Sequence, residues 1–286
     1  MIETNMTKTS DSQKIAVLMP VFNPSEELLW TLDSLRQQTV PFTLFLVDDG
    51  SSNKPDYQTA LKGIDHILIE LAHNKGIVGA LNAGLSEILK TDIKYIARMD
   101  NGDWCHPERL QRQLDFMHTH PEIALSGTAT QILNIDLSPA FNYPCATSTK
   151  TLSKRMHYNL PFEHPTFIFT TELICKIGDY SDAYNAAEDY ELCYRAMQEH
   201  NIGAINEPLL HVVAAPNGIS ATNRTRQMKS RLRIQRTYGD KTDIHYYLGI
   251  ASTLSLIVTP SLLVKKLKKL IRGVSSTSQP NKKVTR

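Results

Sequence analysis

Short apolar runs that alternate with helical patterns, and that stop at polar or acidic turns, constrain this chain more than any other feature. Residues 14–19 (KIAVLM), 42–47 (FTLFLV), 64–71 and 93–99 are rich in strand formers, and Pro20 closes the first run. Between them, Leu28, Leu29, Leu32 and Leu35 recur at helical spacing, with Ser25 as the N-cap and Glu26 and Glu27 in the first turn. Residues 77–89 repeat that pattern through Leu81, Leu85, Ile88 and Leu89, and Pro107 opens a further helix. Strands and helices in this order predict an α/β fold, with a mostly parallel central sheet flanked by helices. In such sheets ligands bind beyond the carboxyl ends of the strands. The clusters Asp48-Asp49, His73-Asn74-Lys75 and Asp100 to Asp103 all fall just past strand ends, so three polar turns are expected on one rim.

Charge narrows the function classes. The chain is +2 overall, yet residues 265–286 hold eight Lys or Arg and no Asp or Glu, so a +8 tail leaves −6 for residues 1–264. A nucleic-acid footprint would need basic residues spread over the fold, so nucleic acid is not an expected partner. Cys105, Cys145, Cys175 and Cys193 show neither CxxC pairing nor ligand-like spacing with His, which reads as reduced thiols in a cytosolic protein. Residues 1–13 are polar and lack an apolar core, so they read as a disordered N-terminus without a secretory signal.

Five motifs follow one another in order: VLMPVFN (17–23), LVDDGSS (46–52), HNKGIVGALNAG (73–84), ARMDNGDWCHPERL (97–110) and AEDYELCYR (187–195). Together they resemble the inverting glycosyltransferases of family 2, over residues 14 to 236. The resemblance implies a Rossmann-like, GT-A type fold that binds a nucleotide-diphosphate sugar, UDP-sugar being the expected donor. It implies transfer to a glycan or lipid-linked glycan acceptor, in the setting of bacterial surface polysaccharide or lipopolysaccharide synthesis. By this resemblance Pro20, Phe22, Asn23, Asp49, Lys75 and Asp100 line the nucleotide-sugar pocket. Asp49 would accept from the base edge, while one carboxylate of the Asp48-Asp49 pair caps the turn.

Asp100 and Asp103 would hold Mg2+ or Mn2+ against the diphosphate, because a pyrophosphate leaving group needs a hard cation as the sugar–oxygen bond breaks. Here the chain departs from the family's usual Asp-x-Asp-Asp, with Gly102 in place of the middle Asp. Asp189 matches the position of the base that takes the acceptor proton, with Glu188 beside it. His164 falls in an acceptor-side loop. His211 and residues 217–226 (NGISATNRTR) resemble the loop that closes over the donor, so Arg224 or Arg226 would meet the diphosphate, whose oxygens suit a guanidinium group.

The C-terminal region is read as an appendage. Residues 248–264 are apolar but marginal against the roughly 20 residues of a membrane span. In 262–273 (LLVKKLKKLIRG), Leu263, Val264, Leu267, Leu270 and Ile271 share one helical face, and Lys265, Lys266, Lys268, Lys269 and Arg272 the other. That is the pattern of an amphipathic helix lying on anionic lipid. The organisation is thus residues 14–240 as the transferase domain, 241–273 as a membrane-associating helical segment and 274–286 as a basic flexible tail. The expected location is cytoplasmic, peripheral on the inner face of the cytoplasmic membrane. Nucleotidyl transfer is disfavoured, since VFNPSEE is neither Gly-rich nor basic. A catalytically inactive nucleotide-sugar-binding scaffold is the alternative, and Gly102 is the residue that keeps it open.

Overall fold

The computed structural model describes residues 14–134, 136–184, 186–213 and 224–259. Four parallel strands build its first half: β1 (Ile15–Val21), β2 (Thr43–Asp48), β3 (His66–Glu70) and β4 (Tyr95–Arg98). Every residue of β1 is buried. Its side chains divide strictly by parity, as a strand covered on both faces requires. Ala16 and Leu18 pack with Leu81 and Leu85 of α3 (Gly76–Ile88), whereas Val17 and Met19 pack with Leu28, Leu32 and Leu35 of α1 (Glu27–Arg36). A short α2 (Tyr57–Ala60) lies between β2 and β3.

Pro20 does not end β1. The strand runs on to Val21, with Pro20 opposite Val47 of β2. Leu18 is the last residue of β1 paired with β4, so the proline sits where the sheet has lost a neighbour on that side and its missing N–H costs little. Ser25 is not the cap of α1 either. Its hydroxyl donates to Glu27 Oε2 at 2.6 Å, and Glu26 occupies the cap position without a side-chain bond.

The second half adds β5 (Trp104–Cys105), α4 (Arg109–Thr119), β6 (Ile123–Leu133), β7 (Pro139–Tyr143), α5 (Thr149–Met156), β8 (Ile168–Thr170), α6 (Thr171–Ile177), α7 (Glu188–Glu199), β9 (Asn201–Val213), α8 (Arg224–Tyr238) and α9 (Ile244–Val258). All nine strands join one sheet of order β3-β2-β1-β4-β8-β6-β9-β5, with β7 beside β6. The pairs β4–β8, β6–β8, β6–β7 and β5–β9 are antiparallel and β6–β9 is parallel. α9 packs on α8, and Gly249 lets it close against the carbonyl of His157, where a Cβ would come within 2.0 Å. Among the described residues no helix is long and apolar enough to cross a membrane.

Candidate functional site

The parallel strands end at one rim, and the turns there are tied to each other by backbone groups. Asp48 is fully buried and accepts from Ser51 N at 2.8 Å and Tyr57 OH at 2.9 Å. It is the turn-capping member of the pair. Asp49 instead reaches across to the next turn, where its Oδ1 accepts from Lys75 N at 2.7 Å. Gly50 makes that approach possible: its φ is +70°, and a Cβ would lie 2.4 Å from the carbonyl carbon of His73. Asn23 clasps the first turn to the second. Its Oδ1 accepts from Ser52 N and Asn53 N at 3.0 and 3.1 Å, and its N–H donates to Ser51 Oγ at 2.7 Å. Asn23 holds φ +44°, a costly conformation for a non-glycine residue that these three bonds fix. Pro20 is buried beneath the rim, while Phe22 is 50% exposed and the Lys75 side chain is exposed.

At the end of β4, Arg98 is only 3% exposed and forms an ion pair with Asp100. Its Nε has no partner among the described residues. The charge of Arg98 also acts on Asp103, His164, Tyr180, Glu188 and Asp189, each of which feels it. This buried cation therefore links the strand-end turn to the head of α7. Arg109, itself buried, fixes the frame by donating to the carbonyls of Arg98 and Pro165, both at 2.7 Å.

Asp103 is 6% exposed, and burial together with the Asp100 charge raises its carboxyl well above the ordinary range. Its Oδ2 and the Oδ1 of Asn101 are buried without partners among the described residues. Gly102, at φ +92°, donates its N–H to Thr31 Oγ1 at 2.9 Å. The described residues contain no group of three His, Cys, Asp or Glu side chains able to hold a metal. Orphaned oxygens beside Asp100 thus fit a cation, but one that takes further ligands from a bound diphosphate.

Glu188 and Asp189 open α7. Burial pushes Glu188 up to about 7, with Asp189 adding to the effect, and pushes Asp189 up to about 6. Asp189 lines a cleft of about 50 Å³ with Asn159, Leu160, Gln227, Met228 and Arg231. His164 is buried, with Nε2 2.8 Å from Tyr180 OH, and burial holds its pKa well below the usual value, so the ring is neutral. Tyr180 is in turn locked by Asn82, which donates to its carbonyl at 2.8 Å and accepts from its N–H at 3.0 Å. His164 is therefore a buttress of the Arg98 neighbourhood in this structure.

The two arginines expected to reach the diphosphate make other contacts in this structure. Arg224 donates to Leu256 O at 2.5 Å and Thr259 O at 3.1 Å, satisfying the last carbonyls of α9. Arg226 lines a separate cavity with Ala183 and Lys229. Sequence reasoning missed Arg98, Arg109 and Arg231. A signal for Arg98 was present: a basic residue ending an apolar strand, one step before an acidic turn. A larger concavity, about 500 Å³ and lined by Phe42, Thr43, Ile67 and Asp92, lies at the opposite ends of the strands from this rim.

The sequence profile of Glycosyl transferase family 2 matches residues 16–174, more than half of the chain. The chain belongs to glycosyl transferase family 2. The match spans the turns that carry Asp49, Asp100 and Asp103 and stops before α7. The amylovoran biosynthesis glycosyltransferase AmsE of Erwinia amylovora is 28% identical over 229 residues, covering 77% of this chain and 84% of that protein. The O-antigen biosynthesis glycosyltransferase WbnJ of Escherichia coli is 28% identical over 193 residues, covering 65% of this chain and 72% of its own. Among solved structures, Staphylococcus aureus TarS 1–349 in complex with UDP-GlcNAc aligns with TM-score 0.64 at 18% identity, over 85% of this chain and 72% of that one. The mannosyltransferase PcManGT of Pyrobaculum calidifontis, in complex with GDP-Man and Mn2+, aligns with TM-score 0.58 at 14% identity, over 93% and 81%. The fold of this family 2 member is the GT-A type that the sequence implied.

Proposed function

We propose that this family 2 glycosyltransferase moves a sugar from a nucleotide-diphosphate sugar, a UDP-sugar, to a hydroxyl of a glycan acceptor with inversion, in the assembly of a surface polysaccharide or lipopolysaccharide. One observation carries the reading. A carboxylate tuned into the neutral range, Asp189, lies within the field of the same buried arginine that pairs with Asp100 at the strand-end rim.

Asp49, with one oxygen committed to Lys75 N, offers the other to a ring N–H of the base. Pro20, Phe22, Asn23 and Lys75 shape that end of the pocket. Asp189 takes the acceptor proton as the acceptor oxygen bonds to the anomeric carbon and the bond to the phosphate oxygen breaks on the opposite face. Glu188 lies beside Asp189 at the head of α7, and Arg98 positions Asp100. Asp100 and Asp103 would hold Mg2+ or Mn2+, which supplies charge neutralisation for the departing diphosphate. Relatives named for amylovoran and O-antigen biosynthesis support the polysaccharide setting.

Location at the inner face of the cytoplasmic membrane belongs to the same proposal. It is supported by exposed Ile244, Tyr247, Leu248, Leu254 and Val258 on α9. The amphipathic segment 262–273 lies outside the described residues.

The test is thermal unfolding of the full chain with UDP, GDP and their sugars, with and without Mn2+. Binding at a hundredfold excess over Kd stabilises by about 2.7 kcal/mol. UDP-sugars are expected to raise Tm and to be turned over. No shift with any nucleotide sugar would refute donor binding, and a shift without turnover on any glycan would leave the chain a nucleotide-sugar-binding scaffold.

A further inference from the structure

The cleft outside Asp189 contains a cation that glycosyl transfer, as set out above, does not use. Arg231 extends from α8 and is 6% exposed. Its Nη1 reaches Asn159 Oδ1 only at 3.4 Å, its guanidinium carbon stands 5.7 Å from the centre of the Tyr190 ring, and the guanidinium hydrogen-bonds the Tyr190 side chain, a neutral partner. Its Nε is buried without a partner among the described residues. No described carboxylate forms an ion pair with it, whereas the other buried arginines among the described residues, Arg98 and Arg109, are respectively ion-paired and hydrogen-bonded on several sides. A guanidinium taken out of water without a counter-ion is unfavourable unless something else supplies one.

What faces this group defines what could. The cleft is walled by Leu160 and Met228, carries the amides of Asn159 and Gln227, and has Asp189 at its edge. At about 50 Å³ the cleft takes a small polar group rather than a whole sugar ring, and its amides and guanidinium suit the oxygens of such a group. The position of Asp189 assigns this side to the acceptor, because the base must touch the attacking hydroxyl. The donor rim, with Asp49, Asp100 and Arg98, is formed by other elements.

We propose that Arg231, assisted by Asn159, binds an oxyanion carried by the acceptor and so selects acidic acceptors over neutral ones. The oxyanion is a carboxylate on an acidic sugar or the diphosphate that joins a glycan to a lipid carrier. Both present paired oxygens that a guanidinium can grip. The inference rests on Asp189 being the base of glycosyl transfer.

The test uses the full chain and three probes without donor: methyl β-glucuronide, neutral methyl β-glucoside, and N-acetylglucosamine linked to farnesyl diphosphate. Dissociation constants come from calorimetry or ligand-observed NMR. At least one anionic probe should bind ten times more tightly than the glucoside, and which one does so identifies the source of the oxyanion. Arg231→Gln should abolish the preference, and Arg231→Lys should retain part of it. Asn159→Asp, which keeps Arg231 but gives it an internal counter-ion, should also abolish it. UDP affinity should stay within twofold in all three variants.

The proposal is overturned if wild type does not discriminate, if Arg231→Gln or Asn159→Asp keeps the preference, or if Arg231→Gln weakens UDP instead. That last result would move Arg231 to the donor side. A wild-type chain that binds no UDP would refute the donor reading alone, since the anion preference is measured without nucleotide.

Discussion

At the scale of single residues, the chemistry depends on carboxyl groups held away from their ordinary pKa. Asp189 is raised from 3.8 to about 6 mainly by burial, so its proton stays on below that pH. A base must be ionised to accept a proton, so kcat/KM should fall about tenfold per unit below the limb. An unperturbed Asp would keep its activity down to pH 4. Glu188, raised to about 7, adjoins it, so the two titrate as a pair and the apparent limb should lie between about 6 and 7. Asp189→Asn should lose about 10²–10⁴-fold in kcat while UDP affinity stays within twofold. A flat profile from pH 5 to 8 in wild type would remove Asp189 from the role of base. Gly102 supplies a second residue-scale test. Its Cβ position is open, with Glu27 Cβ the nearest atom at 3.9 Å, and Asp tolerates positive φ better than most residues. Gly102→Asp should add the carboxylate that the family pattern has there. The Mn2+ concentration giving half-maximal activity should drop about tenfold or more, and an unchanged titration would show that the turn does not meet the metal.

At the scale of elements, the turn joining Asp49 to Lys75 is a shared device of two loops. Gly50 sits at φ +70° with the backbone of His73 and Asn74 2.4–2.6 Å from any added Cβ. Gly50→Ala must push the two turns apart and break the Asp49–Lys75 bond. We expect a loss of about 1–3 kcal/mol in stability and at least tenfold in UDP affinity, read by denaturant unfolding and calorimetry. This first half was legible in the sequence because β1, β2 and β4 are largely buried and apolar, β3 keeps an apolar run at Ile67–Ile69 although it is more exposed, and each stops at a polar turn. The hydrophobic period therefore registered the fold, and the turns marked the rim. The second half was legible only in part: the apolar run of β6 and the helical patterns of α7 and α8 stand out, whereas β5 has two residues, too short to show any period, and β9 contains Pro208 and Glu207 within two register shifts. Arg98 was passed over because the acids that follow it dominate the motif, whereas its importance comes from its burial and from its charge acting on both the strand-end turn and the head of α7. The contact of Arg224 with the C-terminal carbonyls of α9 joins residues more than thirty positions apart, which no local motif signals.

At the scale of the whole molecule, basic charge gathers at the C-terminal end of the sequence, just after a helix with several exposed apolar side chains. The last described helix, α9, leaves Val258 80% exposed and Ile244 64% exposed, and the chain continues into a segment with eight cationic and no acidic residues. The remaining body is net negative at −6, given +2 overall and +8 in the tail, so an anionic surface would attract this end and repel the rest. That asymmetry favours an oriented encounter over general adhesion. A cluster of basic residues near a bilayer contributes about 1 kcal/mol each, screened over a Debye length of about 8 Å at physiological salt. Binding to vesicles containing phosphatidylglycerol should therefore be strong at low salt and fall steeply by 0.5 M NaCl, with little binding to phosphatidylcholine alone. Changing Lys265, Lys266, Lys268 and Lys269 to Gln should weaken cosedimentation with the anionic vesicles by at least tenfold and leave UDP affinity untouched. The apolar side chains of α9 make a separate contribution. Val258→Asp with Leu254→Asp should weaken binding even where salt has already screened the lysines. If the lysine variant sediments as wild type does, the tail is no electrostatic anchor. If only the aspartate variant loses binding, the contact is an apolar one made by α9 itself.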